Sequence, residues 1–91
     1  MAVRIKLPTQ LRDAAGNQAE ASVEGGTVGE ALDALYAEYG ELRTRLAADD
    51  GALRRFVNVY LGGEDIRFLQ GLETPVSDGD ELTILPAVAG G

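Results

Sequence analysis

The sequence predicts an α+β fold in which a mixed sheet of four to five strands packs against one main α-helix. Residues 2–8 and 81–86 alternate apolar and polar side chains, which is typical of strands with one buried face. Between them, residues 28–39 carry apolar side chains at helical spacing. A chain of 91 residues, 45% of them hydrophobic, has material for one core. We therefore expect a single domain over residues 1–86, followed by a flexible C-terminal tail over residues 87–91.

The first two strands are predicted to form a hairpin. Val3, Ile5 and Leu7 alternate with charged residues, so this strand buries one face. Residues 11–16 indicate a turn or a short helical loop. The weaker alternation over residues 19–23 then predicts a second strand that pairs antiparallel with the first.

The main helix begins at a capping box and ends near a glycine. Thr27 and Glu30 have the spacing at which a hydroxyl and a carboxylate each accept a backbone N–H at a helix start. Gly40 is expected to end the helix in a left-handed conformation. The apolar stripe consists of Val28, Ala31, Leu32, Leu35, Tyr36 and Tyr39.

The second half of the chain is less regular. A short helical turn is expected over residues 42–46 and a break over residues 48–51. Residues 56–61 predict a strand, but both of its faces carry apolar side chains, so the pattern does not decide which face is buried. A glycine pair at 62–63 then turns the chain toward a short strand predicted at 66–68.

The order of elements leads to a topology. Residues 74–80 form an irregular return in which Asp78-Gly79 is a strong turn signal, and the last strand follows at 81–86. If the first and last strands lie side by side and parallel, the helix belongs to a right-handed crossover. The sequence thus predicts a ubiquitin-like β-grasp domain.

The charge balance argues against nucleic acid as a partner. Fifteen acidic residues outnumber eight basic ones, and the formal net charge is −7. A phosphate backbone needs a cationic surface, whereas an anionic domain is attracted to basic protein surfaces.

The absence of cysteine and histidine removes the commonest nucleophiles, general bases and soft metal ligands. Most enzymatic options are thereby closed, and we expect no catalytic residues and no metal site. No apolar run approaches the roughly 18 residues of a membrane span, and no signal peptide pattern is present. A soluble, cytoplasmic protein without a membrane partner is expected.

Acidic pairs in predicted turns are the remaining candidates for acid-base or cation chemistry. They are Asp49-Asp50, Glu64-Asp65 and the group Asp78, Asp80 and Glu81. No calcium-loop spacing accompanies them, so we interpret them as solvated turn residues. Arg54-Arg55 is also interpreted without a binding role: these charges flank a strand and discourage edge pairing.

The C-terminus carries the most distinctive feature of the sequence. After the strand that ends at Pro86, small residues project toward Gly90 and Gly91. Without Cβ atoms, this pair fits a channel too narrow for other residues. The terminal carboxylate is ionised at neutral pH and is a poor electrophile, so a partner must activate it, for instance as an acyl-adenylate.

Three motifs in order resemble the MoaD/ThiS family of sulfur carriers. They are LRDAAG at 11–16, DGDEL at 78–82 and LPAVAGG at 85–91. Within the family, residues 56–60, 64–68 and 83–91 look most like the actinobacterial carriers of cysteine biosynthesis. Ala87 stands where the molybdopterin-type members usually have a second proline, which favours the cysteine branch.

This resemblance implies a carrier that is acted on by enzymes and binds no cofactor itself. A ubiquitin-activating-type adenylyl/sulfurtransferase would use ATP to adenylate Gly91 and convert it to a thiocarboxylate. A PLP-dependent O-phosphoserine sulfhydrylase, a cysteine synthase, would receive the sulfur. A zinc metalloprotease would then release cysteine.

The family pattern also predicts the docking surface. It places Val57, Val59 and Leu61 inward and Phe56 and Tyr60 outward, so that Phe56 and Tyr60 share the open sheet face with Leu85. Exposed apolar groups on a sheet argue for an interface. The predicted partner-binding residues are Phe56, Tyr60, Leu85, Val88, Ala89 and Gly90. The alternative is that residues 42–46 cover Phe56 or Tyr60.

Three other functions remain open from the sequence. One is the small subunit of molybdopterin synthase or its thiamin-pathway equivalent, which is still a sulfur carrier. Another is a ubiquitin-like modifier joined to lysines of target proteins. The last is an interaction module with an inert tail.

Overall fold

The computed structural model describes residues 2–49, 52–54 and 57–86. These residues form five strands and two α-helices, with 3₁₀ turns at Thr9–Ala15, Ile66–Phe68 and Gly71–Glu73. The elements are β1 (Ala2–Lys6), β2 (Glu20–Glu24), α1 (Val28–Glu38), α2 (Gly40–Leu46), β3 (Val57–Leu61), β4 (Glu64–Asp65) and β5 (Glu81–Pro86).

The sheet order β2-β1-β5-β3-β4 confirms the predicted topology. β1 pairs antiparallel with β2, as expected of the hairpin. β1 and β5 lie side by side and parallel, with Arg4 opposite Glu81 and Lys6 opposite Thr83. β3 lies antiparallel on the other side of β5. The last strand to be synthesised therefore occupies the middle of the sheet, which is the β-grasp arrangement.

One face of the sheet carries the core. Alternate residues of the strands point to this face, where α1 and α2 cover them. The largest fully buried side chains are Ile5, Leu32, Leu35, Leu42, Leu46, Leu82 and Ile84. Val57 and Val59 are buried with them and Leu61 is partly buried, so the family pattern assigned the inward face of β3 correctly.

The start of α1 is tied to the segment that leads into β5. Thr27 Oγ1 accepts the Glu30 N–H, and the Glu30 carboxylate accepts the N–H of Gly26, so the predicted capping box is present, with Gly26 as the carboxylate's partner. The Val28 N–H donates to the carbonyl of Thr74, and the Val76 N–H donates to the carbonyl of Gly26. The irregular return of the chain is thus held against the helix N-terminus, and this fixes where β5 begins.

The expected strand at 66–68 is wrong. Gly62 and Gly63 have φ of 60° and 94°, which makes the turn so tight that β4 starts at Glu64. The carboxylate of Asp65 then accepts the backbone N–H of Arg67 and caps a 3₁₀ turn at Ile66–Phe68. An N-capping side chain at Asp65 ends the strand after two residues.

The expected left-handed stop at Gly40 is also wrong. α1 ends at Glu38, and Tyr39 forms the junction with φ of −128°. Gly40 is the first residue of α2 and has no positive φ. Two short helices meet at an extended residue here because Leu42 and Leu46 of α2 pack into the same core as α1.

Candidate functional site

The site predicted at the C-terminus is built on β5. This strand has partners on both sides up to Thr83, but its pairing with β1 ends there, while pairing with β3 continues to Pro86. Leu85 lies opposite Asn58, and Pro86 lies opposite Val57. β5 is therefore firmly held, and within the described part of the chain its last three residues have a strand on one side only.

Leu85 and Tyr60 share the open face of the sheet, as predicted. Leu85 is 46% exposed, and Tyr60 is partly exposed. Tyr60 pairs with Thr83 and Leu85 pairs with Asn58, so the two side chains are diagonal neighbours, roughly 7–8 Å apart at such positions. They form one partly apolar patch that ends at the root of the tail.

Residues 42–46 do not cover Tyr60. Leu42 and Leu46 are 0% and 1% exposed and belong to the core on the helix side of the sheet. Tyr60 lies on the opposite face, because its neighbours Val59 and Leu61 point toward the core. The alternative of a covered patch is thus unsupported for this residue.

Five of the predicted site residues lie outside the described residues. They are Phe56, Val88, Ala89, Gly90 and Gly91. Their roles, and the division of the chain into a domain and a flexible tail, remain predictions.

A groove of about 380 Å³ runs beside the open side of β5. Lys6 and Arg12 line it together with Leu85, and Glu20 is the acidic residue among its lining. The Arg12 Nε–H donates to the carbonyl of Leu7 at 3.2 Å, which holds this side chain at the end of β1. Lys6 and Arg12 were not predicted as site residues. The alternation of β1 and the motif at 11–16 indicate only their places along the chain, not that they line one groove with Leu85.

Charges on the open face are balanced locally. Glu81 lies 3.8 Å from Arg4 and 3.9 Å from Lys6, and all three side chains are partly exposed. Solvent-exposed pairs of this kind contribute little to stability. They give the surface around Leu85 and Tyr60 a mixed, polar rim.

Two of the acidic turn residues accept hydrogen bonds from backbone N–H groups and so stabilise the turn before β5. Asp78 accepts the N–H of Ala2, and Asp80 accepts the N–H of Ser77. Gly79, with φ of 89°, supplies the left-handed position of this turn. Over residues 2–49, 52–54 and 57–86, no group of three or more carboxylate, thiol or imidazole side chains is placed to hold a metal ion.

Among the described residues, the shortest ion pairs lie away from β5. Arg45 contacts Asp13 at 3.1 Å and Glu41 at 2.6 Å, and so connects α2 to the 3₁₀ turn at Thr9–Ala15. The hydrogen bond from Arg45 lowers the pKa of Asp13 below its ordinary value. This contact helps to position the loop between β1 and β2.

None of the helices in the described part of the chain is long and apolar enough to cross a membrane.

Known proteins resemble this chain over its full length. The family model that matches is the ThiS family, over residues 5–91. This chain belongs to the ThiS family. The sulfur carrier protein CysO of Mycobacterium tuberculosis is 46% identical over 93 residues, covering all of both chains. Small archaeal modifier protein 1 of Haloferax volcanii is 39% identical over 88 residues, which is 94% of this chain and 97% of the relative.

Solved structures agree with the fold of this ThiS-family chain. CysO in the crystal structure of the Amycolatopsis orientalis BexX/CysO complex superposes with a TM-score of 0.90 at 45% identity, covering 98% of this chain and 99% of that one. The resemblance to sulfur carriers is therefore confirmed, and the chain is a CysO-like member of the family with a ubiquitin-like β-grasp fold. The names of its relatives, carrier or modifier proteins, fit a role that is not enzymatic.

Proposed function

We propose that this protein carries sulfur as a thiocarboxylate on Gly91 and donates it for cysteine synthesis from O-phosphoserine. The observation that carries the proposal is the placement of β5, which is held between β1 and β3 and leads directly into the segment that ends in Gly90-Gly91. The full-length similarity to CysO proteins supports the same role.

The proposed reaction cycle starts with the Gly91 carboxylate and ends when that carboxylate is regenerated. The Gly91 carboxylate attacks the α-phosphorus of ATP and releases pyrophosphate, which gives an acyl-adenylate. A sulfide sulfur then attacks the carbonyl carbon and displaces AMP, leaving the thiocarboxylate. A protein with no cysteine has no thiol to compete for the activated carbonyl.

Transfer requires two further partner enzymes. On a PLP-dependent sulfhydrylase, the thiocarboxylate sulfur replaces the phosphate of O-phosphoserine and forms a thioester to the carrier. An acyl shift from sulfur to nitrogen gives an amide of cysteine. Hydrolysis by a zinc metalloprotease releases cysteine and restores the Gly91 carboxylate for another cycle in the cytoplasm.

Docking of these partners is assigned to the open face of the sheet. Leu85 and Tyr60 form the described part of the surface, and Phe56, Val88, Ala89 and Gly90 complete it in the proposal. The charge of −7 favours enzymes with basic surfaces around their entrances. A similar protein in complex with BexX supports recognition by a protein partner.

Intact-mass spectrometry tests the activation step. The chain is incubated with a ubiquitin-activating-type adenylyl/sulfurtransferase, ATP and sulfide. Its mass should rise by about 16 mass units as sulfur replaces oxygen. A variant that lacks Gly91 should show no gain and unchanged thermal stability. A wild-type chain that keeps its mass under these conditions would contradict the proposal.

A modifier function is the second candidate, because small archaeal modifier protein 1 is 39% identical to this chain. The same adenylate would then react with a lysine amine of a target protein and release AMP. Incubating the thiocarboxylate with the PLP-dependent sulfhydrylase and O-phosphoserine separates the two candidates. A cysteine adduct of the chain supports sulfur transfer for cysteine synthesis. If that adduct is absent and isopeptide products form in a parallel incubation of the chain with the activating enzyme, ATP and lysine-bearing target proteins, the modifier is supported. Sulfur gain without either product would indicate the molybdopterin or thiamin branch.

A further inference from the structure

A second apolar surface lies on the side of the sheet opposite to Leu85 and Tyr60. It is a cleft of about 410 Å³ between β3 and the two 3₁₀ turns that follow it. Buried Val57, Val59 and Ile66 form its floor, and the half-buried Leu53 and Leu72 form its walls. The proposed function does not use this cleft.

The charge around the cleft is opposite to that of the whole chain. Arg54 and Arg67 both line it, and none of its described lining residues is acidic. By contrast, each of four other depressions in the described surface is lined by Glu20, Asp33 or Asp49. The net charge of the protein is −7, so an apolar cleft whose charged lining residues are both arginines differs from the rest of the described surface.

Both arginines are held in place by backbone groups. The Arg54 Nε–H donates to the carbonyl of Thr44 at 3.1 Å. Arg67 donates from Nη2 to the carbonyl of Val57 at 3.2 Å and to the side-chain oxygen of Asn58. Asp65 is the nearest carboxylate to Arg67 in the described residues, with 3.8 Å between Nε and Oδ1. Both cations are therefore held beside the cleft, Arg67 with the Asp65 carboxylate at 3.8 Å and Arg54 between the cleft and a depression that Asp49 also lines.

The apolar surface extends beyond the cleft. Phe68 and Leu69 directly follow Ile66 and Arg67, and they are 83% and 38% exposed. An exposed aromatic beside a cleft and an arginine is a combination typical of interface hot spots. A small molecule would occupy the cleft alone. Because the apolar surface continues past the cleft to Phe68 and Leu69, it is better suited to a peptide.

We infer that this cleft binds a peptide segment of a partner protein with an aliphatic anchor flanked by carboxylates. The anchor lies on Val59, Ile66 and Leu72, and the carboxylates pair with Arg54 and Arg67. Because the cleft and the open sheet face lie on opposite sides, such a partner leaves Leu85 and Tyr60 accessible.

The test uses the full chain labelled with ¹⁵N and the probe peptide acetyl-Asp-Asp-Leu-Leu-Asp-Asp-amide, titrated to about 2 mM. Amide shifts are expected at Val59, Ile66, Gly71 and Leu72, and they should weaken as salt is raised. The matched peptides replace the leucines by serine or the aspartates by lysine, and both should bind at least tenfold more weakly.

Arginine variants locate the charge contacts. Arg54→Gln and Arg67→Gln should each raise the Kd of the probe about three- to tenfold. Arg4→Gln removes the same charge from the open face and should leave the Kd unchanged. Equal effects of all three variants would reduce the interaction to non-specific charge attraction and overturn the inference.

Other occupants give different results, each of which overturns the inference. Shifts at the cleft on deletion of residues 87–91, without peptide, would identify the chain's own tail as the occupant. Shifts that depend on protein concentration alone would identify a second copy. No shift at the highest peptide concentration, or equal binding of the lysine peptide, would leave the cleft without an acidic ligand.

Discussion

Thr74 shows how one side chain fixes the approach to the last strand. It is 5% exposed, and its hydroxyl both accepts the Gln70 N–H at 2.9 Å and donates to the Gly71 carbonyl at 2.7 Å. Its own carbonyl accepts the first N–H of α1. Nothing in the sequence around residue 74 indicated this, because both partners depend on a 3₁₀ turn that the pattern did not predict.

Replacing Thr74 by valine keeps the shape but removes the hydroxyl. The Gln70 N–H then loses its partner in a partly buried place, while the Gly71 carbonyl still accepts the Thr74 N–H. Thr74→Val should therefore lower the free energy of unfolding by about 1 kcal/mol. Urea unfolding followed by circular dichroism measures this. Thr74→Ser keeps the hydroxyl and should cost less than Thr74→Val; the reverse order would contradict the hydrogen-bonding role.

Tyr36 links stability to alkaline pH. Burial raises the pKa of its phenol to about 12, with the charge of Asp33 adding to the effect. The unfolded chain ionises this group near pH 10, so the stabilisation is complete below pH 10 and is lost as pH rises from 10 toward 12. Tyr36→Phe should flatten the decline of unfolding free energy over this range. An equally steep decline in the variant would show that other groups cause it.

At the scale of elements, sequence periodicity correctly predicted the helices and strands whose formation depends on the spacing of residues within one segment. The stripe of α1, the capping box and the strong alternation of β1 and β5 depend on local spacing, and the structure confirms them. The strand at 66–68 was predicted wrongly because the side chain of Asp65 caps a 3₁₀ turn there, a local contact that alternation does not reveal. The stop at Gly40 was predicted wrongly because Leu42 and Leu46 of α2 pack into the core directly after α1, which is a tertiary effect.

Two glycines at the ends of helices differ in the space around them. A Cβ at Gly25 would lie 2.7 Å from the backbone nitrogen of Ala31, whereas a Cβ at Gly40 meets nothing within 4 Å. We expect Gly25→Ala to destabilise the protein by roughly 1–3 kcal/mol, since the start of α1 must move. Gly40→Ala should stabilise it by about 0.4–1 kcal/mol. Thermal unfolding of both variants measures the difference, and similar melting temperatures would contradict the close packing at Gly25.

At the scale of the molecule, the sequence predicted the last strand but only part of its surroundings, and the role of the Gly-Gly ending stays a prediction. The alternation of β5 depends on one segment, whereas the inward face of β3 was assigned from the family resemblance because both of its faces carry apolar side chains. The groove beside Lys6 and Arg12 was not predicted, because it forms only where pairing between β1 and β5 stops. The cleft beside Arg67 likewise needs the 3₁₀ turns in their observed places.

A charge placed on the open face should separate docking from folding. Leu85→Glu should reduce kcat/KM for sulfur loading by about tenfold or more, because the proposed patch must be desolvated by the partner. The unfolding free energy should change by less than about 0.5 kcal/mol, since the side chain is exposed. Ala37→Glu, which adds the same charge at an exposed position of α1, is the control and should load normally. If Leu85→Glu and the wild-type chain load sulfur equally well, the partner does not dock on Leu85, and the proposed docking surface is wrong.

The central position of β5 also has a consequence during synthesis. While the ribosome is still making residues 57–80, β1 and β3 have no strand to join them, and neither the sheet nor its core can close. The domain therefore cannot complete its fold piece by piece from its N-terminus, and a nascent chain interrupted before residue 81 lacks the strand that joins β1 to β3. Because Gly91 follows β5 in the sequence, any chain that presents this glycine to an enzyme has already made the strand that completes the sheet.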